Sequence, residues 1–216
     1  MSCVRLHQYS KKIKGKTVLK NIDYEFAGGK VYGIQGHNGC GKTMLLRAVS
    51  GLISASEGYV SIGDKTLGKD IDFPESIGVL IENPEFWNNY TLKNVLITLA
   101  GIKGIIGEKE IDDAIYRVGL EEQADMQVGK FSLGMRQRMG IAQAIMEKPD
   151  IILLDEPTNA LDTDGNEKLR RIIIEEKERG ALIIIVSHNL EWMHGLCDVL
   201  LKMENGTLFE ENYKND

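Results

Sequence analysis

The sequence predicts an α/β fold with a mostly parallel β-sheet, an N-terminal antiparallel β part and an inserted helical lobe. A strand, a glycine-rich turn and a helix follow one another over residues 31–50. Two short apolar runs, residues 151–154 and 181–186, have the length and aliphatic composition of strands buried on both faces of a parallel sheet. Residues 82 to about 149 have little strand character, and this interval predicts the helical lobe.

Length, net charge, apolar runs and cysteine count limit the classes of protein to which the chain can belong. We expect the 216 residues to form one domain, with a core lobe (1–81 and 150–216) and a helical lobe (about 82–149). The net charge of −6 argues against a nucleic-acid partner, which needs clustered positive charge. No apolar run is long enough to span a membrane and no secretion signal is evident, so we expect a cytoplasmic protein without direct membrane insertion. Three cysteines without zinc or disulfide spacing favour reduced thiols.

The first part of the chain alternates between strand patterns and turns. Strands are predicted at residues 4–8, 18–26, 31–35, 58–62 and 77–81. A lysine-rich turn around Gly15 joins the first two strands, and Gly51 is well placed to end a helix over residues 42–50. Asn83-Pro84 then breaks the β pattern. Helices follow, with Thr91 as the first N-cap, at residues 92–99, 108–118 and 133–147.

The last part of the chain returns to strands. After the strand at 151–154, a helix over residues 163–179 has Asp162 or Asp164 as its N-cap. A strand at 181–187 and a short helix at 190–196 follow. The chain then forms a hairpin around Asn205-Gly206, a pair suited to positive φ, with strands at residues 199–203 and 207–210.

A phosphate-binding loop lies between the strand at 31–35 and the helix that follows it. The spacing is G-x-x-x-x-G-K-[ST], which predicts the core of a P-loop NTPase. Three glycines allow backbone N–H groups to converge on one anion, and the helix adds its positive end. Lys42 would reach the β- and γ-phosphates, and Thr43 would offer a hydroxyl to Mg²⁺. A purely structural turn is the alternative, which the flanking strand and helix disfavour. The residues predicted to bind nucleotide here are Gly36, His37, Asn38, Gly39, Cys40, Gly41, Lys42, Thr43 and Met44.

Two acids directly follow the apolar run at 151–154. Asp155 and Glu156 would stand at the carboxyl end of a buried strand, where ligands of α/β sheets bind. Asp155 would hold Mg²⁺, largely through water, and Glu156 would orient the water that attacks the γ-phosphorus. Without another motif, the two acids would be interpreted as solvated residues at an ordinary strand end. Together with the upstream phosphate loop, it favours a metal site.

A second helix start carries anion-binding features. Ser132 is the predicted N-cap, and Gly134 lies in the first turn of the helix. A small hydroxyl and a glycine at a helix N-terminus suit an anion, but a plain capped helix has the same sequence, so both interpretations stay open.

In this order, the motifs resemble those of the ATP-binding subunit of an ABC transporter over essentially the whole chain. Residues 131–135 match the family signature L-S-G-G-Q, and residues 155–156 match its Walker B pair. Residues 159–162 resemble the D-loop, and residues 187–188 the switch histidine. Beyond the phosphate loop, the residues carried over are Ser132, Gly134, Asp155, Glu156, Asp162 and His188.

The resemblance implies an ATPase that works as a dimer. Two ATP molecules would be sandwiched head-to-tail between the phosphate loop of one subunit and Ser132 and Gly134 of the other. It implies Mg²⁺ as cofactor and an integral membrane permease as partner, with the ATPase peripheral on the cytoplasmic face of the membrane. Lys42, Glu156 and His188 would be catalytic, with the neutral imidazole of His188 bonded to the γ-phosphate. Homodimer and heterodimer remain equally open.

The chain departs from the family pattern at three places. Glu82 stands where the family has its Q-loop glutamine, and a carboxylate there would bind Mg²⁺ more strongly than an amide. Met44 replaces a second hydroxyl and removes one bond to the α-phosphate. The aromatic that stacks on adenine aligns with Ile13, with Tyr9 nearby. Glu82 and the F-S-x-G-M signature are similar to the bacitracin- and lantibiotic-resistance branch, which favours export.

Other functions remain as alternatives. A soluble ABC ATPase that serves as an assembly module, as in iron–sulfur cluster biogenesis, would share every motif. A small P-loop kinase fits the phosphate loop but not residues 132–135 or 159–162. Phe86-Trp87 follows Glu82, and exposed aromatics there would suit docking of a membrane partner, whereas a small local core explains them equally well.

Overall fold

The described residues, 3–82 and 85–210, form two β-sheets and six α-helices in a computed structural model. The smaller sheet has four strands in the order β2-β1-β4-β5, and its neighbours pair antiparallel. Its strands are β1 (Cys3–Ile13), β2 (Lys16–Ala27), β4 (Glu57–Ile62) and β5 (Lys65–Thr66).

The larger sheet has six strands in the order β10-β9-β3-β8-β7-β6. All neighbours pair parallel except β9 and β10, which form an antiparallel hairpin at the edge. Its strands are β3 (Val31–Gln35), β6 (Ile77–Leu80), β7 (Ile151–Asp155), β8 (Leu182–Val186), β9 (Val199–Glu204) and β10 (Thr207–Glu210).

Side-chain caps begin most of the longer helices. Thr91, Ser132 and Asp162 each accept a hydrogen bond from a backbone N–H of the first turn, which satisfies one of the donors left free at a helix start. The helices are α1 (Lys42–Val49), α2 (Leu92–Lys103), α3 (Glu108–Arg117), α4 (Leu133–Ile145), α5 (Thr163–Glu178) and α6 (Leu190–Met193).

The larger sheet is buried on both faces. Every residue of β7 and β8 is buried, and successive side chains alternate between two hydrophobic clusters. Ile152 and Leu154 pack with α2–α5, whereas Ile151 and Leu153 pack with α1 and the smaller sheet. Each such side chain stabilises the fold by roughly 1.5–3 kcal/mol, so the strands are held rigidly where they end at the candidate site.

These elements confirm the predicted fold class, with differences at element ends. Strands β1 and β2 are longer than expected because they continue to pair through register shifts. Helix α2 runs on to Lys103, whereas α6 ends at Met193 because His194 has an extended backbone, with a φ of −61° and a ψ of 133°. The two-residue strand β5 was not predicted. The predicted break at Asn83-Pro84 lies outside the described residues.

None of the helices within the described ranges is long and apolar enough to cross a membrane.

Candidate functional site

The site forms where the carboxyl ends of three neighbouring parallel strands meet. Strand β3 leads into the phosphate loop and α1, while β7 and β8 end beside it. Asp155 lies opposite Val186 in the register of β7 and β8, so the residues after both strands reach the same edge. Ligands of open α/β sheets bind at this edge.

The loop conformation depends on glycine at two positions. Gly41 has a φ of 117°, and a Cβ there would lie 2.9 Å from the Val18 carbonyl oxygen. A Cβ on Gly36 would collide with the Met203 carbonyl oxygen. Gly41 is also the N-cap of α1 and offers no side-chain cap, which leaves the first backbone N–H groups of α1 without a side-chain acceptor. Such groups are suited to a phosphate.

Lys42 is folded back over the loop. Its side chain is largely buried, and Nζ donates to the carbonyl oxygens of Gly36 at 2.7 Å and His37 at 3.3 Å. These bonds hold the ammonium group among the loop carbonyls. His37, Asn38 and Gly39 are exposed at the top of the same loop.

Thr43 and Asp155 join the loop to β7. The Thr43 hydroxyl donates to Asp155 Oδ2 at 2.6 Å, and Asp155 is 7% exposed. Burial raises the pKa of Asp155 above its usual value, and the bond from Thr43 offsets only part of that rise. A hydroxyl and a buried carboxylate in contact fit Mg²⁺, which takes one or two protein oxygens and completes its shell with phosphates and water. The described residues hold no group of three His, Cys, Asp or Glu that would bind a metal unaided.

Glu156 and His188 form a pair at the ends of β7 and β8. The carboxylate Oε2 of Glu156 lies 2.8 Å from His188 Nδ1 and accepts a longer bond, 3.3 Å, from the His188 backbone N–H. His188 is exposed, whereas Glu156 is half-buried. The pair brings a carboxylate and an imidazole together at this edge of the sheet, and Glu156 lines the same pocket as Thr43 and Asp155.

Glu82 lines the pocket that also contains Thr43 and Asp155, but its side chain has a partner that the sequence did not indicate. Arg47 Nη2 lies 2.8 Å from Glu82 Oε1, and Glu82 has a φ of 61°. A metal at Thr43 and Asp155 would therefore compete with the Arg47 guanidinium for this carboxylate.

One pocket of about 450 Å³ brings most of these residues together. Of the predicted loop residues, Gly36, His37 and Cys40 do not line it. The Cys40 side chain is 2% exposed, so its thiol is buried below the loop rather than presented to a ligand. The lining residues are Val18, Asn38, Gly39, Gly41, Lys42, Thr43, Met44, Glu82, Gln137, Asp155, Glu156 and Asn159.

Ser132, Gly134 and Asp162 line a different pocket of about 500 Å³. The Ser132 hydroxyl accepts from Met135 N at 3.2 Å, and Asp162 Oδ1 accepts from Gly165 N at 2.8 Å. The bond from Gly165 N and the ion pair with Arg138 together hold the pKa of Asp162 below its usual range. Within one chain, these residues therefore do not share the pocket of the phosphate loop.

The surroundings of the site add contacts that sequence reasoning missed. Val18 and Gln137 line its pocket from β2 and α4, and Arg47 of α1 pairs with Glu82 at its edge; no local motif marks these three residues. Tyr9 is 1% exposed and donates to the Ile53 carbonyl oxygen, so it offers no open face for adenine. Ile13 is 38% exposed.

The two aromatics of Phe86-Trp87 differ in burial, and docking of a partner there stays a prediction. Phe86 packs against the hydrophobic core, whereas Trp87 is 52% exposed.

The fold and the phosphate loop define a nucleotide-binding protein of the P-loop class. A model of the ABC transporter family matches residues 19–159. The chain is 53% identical to an uncharacterized ABC transporter ATP-binding protein, YybJ of Bacillus subtilis, over 92% of this chain and 91% of the relative. The chain therefore belongs to the ATP-binding proteins of the ABC transporter family, whose members bind ATP.

Two other relatives have names that mention a substrate. The bacitracin transport ATP-binding protein BcrA of Bacillus licheniformis is 40% identical over 85% of this chain and 60% of BcrA. The lantibiotic transport ATP-binding protein SrtF of Streptococcus pyogenes is 35% identical over 94% of this chain and 88% of SrtF. A solved ATP-binding subunit of an ABC transporter has the same fold, with a TM-score of 0.87 at 24% identity, covering 96% of this chain and 89% of that one.

Proposed function

We propose that this chain is an ATPase subunit that hydrolyses ATP with Mg²⁺ to drive a separate integral membrane permease. It would act as one domain, with the core lobe (1–81 and 150–216) and the helical lobe (about 82–149). The observation that carries the proposal is the Glu156–His188 pair, 2.8 Å apart, beside the phosphate loop and the Thr43–Asp155 contact.

Each residue at this edge has a role in hydrolysis. The loop N–H groups and Lys42 hold the phosphates, and Lys42 exchanges its two loop carbonyls for phosphate oxygens. Glu156 accepts a proton from the attacking water, while His188 donates its Nδ1–H to the Glu156 carboxylate. A simultaneous bond from Nε2 to the γ-phosphate requires a proton on both ring nitrogens, so the neutral ring makes one of these bonds and the protonated ring makes both.

The Mg²⁺ ion would be held by Thr43 and, through water, by Asp155, with Glu82 as a further oxygen ligand once it leaves Arg47. When bound, the ion neutralises charge on the phosphates. Burial raises the pKa of Asp155, whereas a nearby cation lowers it. Bound Mg²⁺ would therefore favour the ionised carboxylate.

The active form is a head-to-tail dimer, of one kind of subunit or of two. The separation of Ser132 and Gly134 from the loop pocket supports this, since a second copy would bring them to the nucleotide. Asp162 lies in the same pocket as Ser132 and Gly134, and would contact the other subunit's site.

The names of BcrA and SrtF support a role in export of antimicrobial peptides, with the ATPase on the cytoplasmic face of the membrane. The alternative is a soluble assembly module without a membrane partner. Purification in mild detergent decides between them: a copurifying integral membrane protein supports the permease partner, and soluble scaffold proteins alone would contradict it.

Replacement of Glu156 by glutamine tests the ATPase. We expect Glu156→Gln to lower the rate of phosphate release by at least about 100-fold, because it removes the proton acceptor, while ATP affinity stays within about twofold. Glu178→Gln, at an exposed glutamate of α5, is the matched control and should keep the wild-type rate. Wild-type turnover in Glu156→Gln would refute the assignment.

A further inference from the structure

Gln137 is a buried polar side chain of α4 that contacts the catalytic segment. It is 6% exposed, and its Nε2 donates to the carbonyl oxygens of Glu156 at 3.3 Å and Pro157 at 3.1 Å. A buried amide without partners costs roughly 1–3 kcal/mol, so this side chain is held by these two bonds. Its amide group therefore ties the middle of α4 to the residues that follow β7.

Glu156 is in a backbone conformation that needs such support. Its φ is 47°, in the left-handed region that residues with a side chain seldom adopt. Its N–H donates to the Val186 carbonyl oxygen at 2.8 Å, and its own carbonyl oxygen also accepts from Asn159 N at 3.1 Å. Strained residues of this kind persist only when their surroundings restrain them.

The same face of α4 contacts the following residues at two more places. A Cβ on Gly134 would lie 2.7 Å from the Ala160 carbonyl oxygen, so the helix backbone and this segment touch closely. Arg138 Nη2 lies 2.5 Å from Asp162 Oδ1. Gly134, Gln137 and Arg138 have the i, i+3, i+4 spacing of one helix face. Residues 156–162 are thus fastened to α4 at three successive points.

We propose that Gln137 is a positioning residue for Glu156, and that the face of α4 formed by Gly134, Gln137 and Arg138 links Ser132 to the catalytic carboxylate. A helix moves as a rigid unit, so a displacement at its N-terminus reaches the Glu156 backbone through Gln137. Contact made at Ser132 and Gly134 by a nucleotide then adjusts the direction of the Glu156 carboxylate. The inference rests on the proposed role of Glu156 in hydrolysis.

The test removes the amide and keeps the length of the side chain. We expect Gln137→Met to lower kcat by about 10- to 100-fold, the loss that misplacement of a reacting group by about 1 Å causes, with ATP affinity within about twofold of wild type. Gln143→Met makes the same change on the same helix and should keep the wild-type kcat. Equal losses in the two variants, or a wild-type kcat in folded Gln137→Met, would overturn the proposal.

A double variant tests whether Gln137 acts through Glu156 or has a separate effect on hydrolysis. In single-turnover assays, adding Gln137→Met to Glu156→Gln should lower the rate by less than about twofold, because residues that act as a unit do not add. A further tenfold loss would contradict the link to Glu156. If Glu156→Gln alone keeps full activity, the proposed function fails, whatever Gln137→Met does.

A second substitution tests the proposal if Gln137→Met does not fold. Thermal unfolding reports whether Gln137→Met is folded at the assay temperature. If it is not, Gln137→Asn, which keeps an amide but shortens its reach, should show the kcat loss with unchanged ATP affinity. A wild-type kcat in Gln137→Asn would then overturn the proposal.

Discussion

At the scale of single residues, the Glu156 carboxylate is held by one neighbour above all. His188 contacts it with both Nδ1 and the backbone N–H, and the second contact survives any change of the side chain. A substitution of His188 therefore removes the imidazole contact with Glu156 and keeps the contact from the backbone N–H.

His188→Ala should lower kcat about 100-fold with little effect on ATP binding. The substitution removes the imidazole that contacts Glu156 and that would bond the γ-phosphate in the proposed mechanism, but it leaves Lys42 and the loop intact. Phosphate release measures turnover, and equilibrium binding of a fluorescent ATP analogue measures affinity. His7→Ala, at a histidine that stacks on Tyr59 in the smaller sheet, is the control. Unchanged turnover in His188→Ala would refute its role.

At the scale of elements, β6 and α4 approach so closely that only glycine fits between them. A Cβ on Gly78 of β6 would collide with the Ala144 carbonyl oxygen of α4. Helix α4 carries Ser132 at its start and Gln137 in its middle, so this contact fixes where the helix lies.

Gly78→Ala should therefore destabilise the protein by about 3 kcal/mol, as overpacking of a core does. Gly101→Ala is the matched control, because a Cβ at that exposed position of α2 meets nothing within 4 Å. Alanine is favoured over glycine in a helix by up to about 1 kcal/mol, so this control should be slightly stabilising. Denaturant unfolding of both variants measures the difference, and similar midpoints would contradict the close contact.

Sequence patterns predicted the elements better than the contacts between them. Strand β3 was predicted with its correct bounds, because an apolar run and a glycine-rich turn are local signals. The ion pair of Arg47 with Glu82 and the bonds from Gln137 to Glu156 join residues 35 and 19 positions apart. No local pattern encodes such pairs, since they arise only when tertiary packing brings two elements together.

At the scale of the whole molecule, the pocket of the phosphate loop and the pocket of Ser132 are separate in one chain. A complete site would then need two chains. In the proposed dimer, hydrolysis would control how long the two chains stay together.

Glu156→Gln should form a dimer with ATP that the wild-type protein does not accumulate, because the variant binds ATP without consuming it. Size-exclusion chromatography with light scattering, with and without ATP, measures this. Adding Ser132→Arg, which places a bulky cation in the interface, should restore the monomer. A Glu156→Gln protein that stays monomeric at saturating ATP would count against the sandwich.

The strand order also has a consequence for synthesis on the ribosome. Strand β3 leads directly into the phosphate loop, yet its two neighbours in the sheet are β8 and β9, which come from residues Leu182–Val186 and Val199–Glu204. The loop is thus translated well before its flanking strands, which are complete only once residues up to Glu204 have emerged. Long-range parallel pairing of this kind folds slowly. A nascent or prematurely terminated chain that ends before β8 holds the complete nucleotide motif without the sheet that shapes it, and it leaves the apolar faces of β3 and β7 for chaperones to cover.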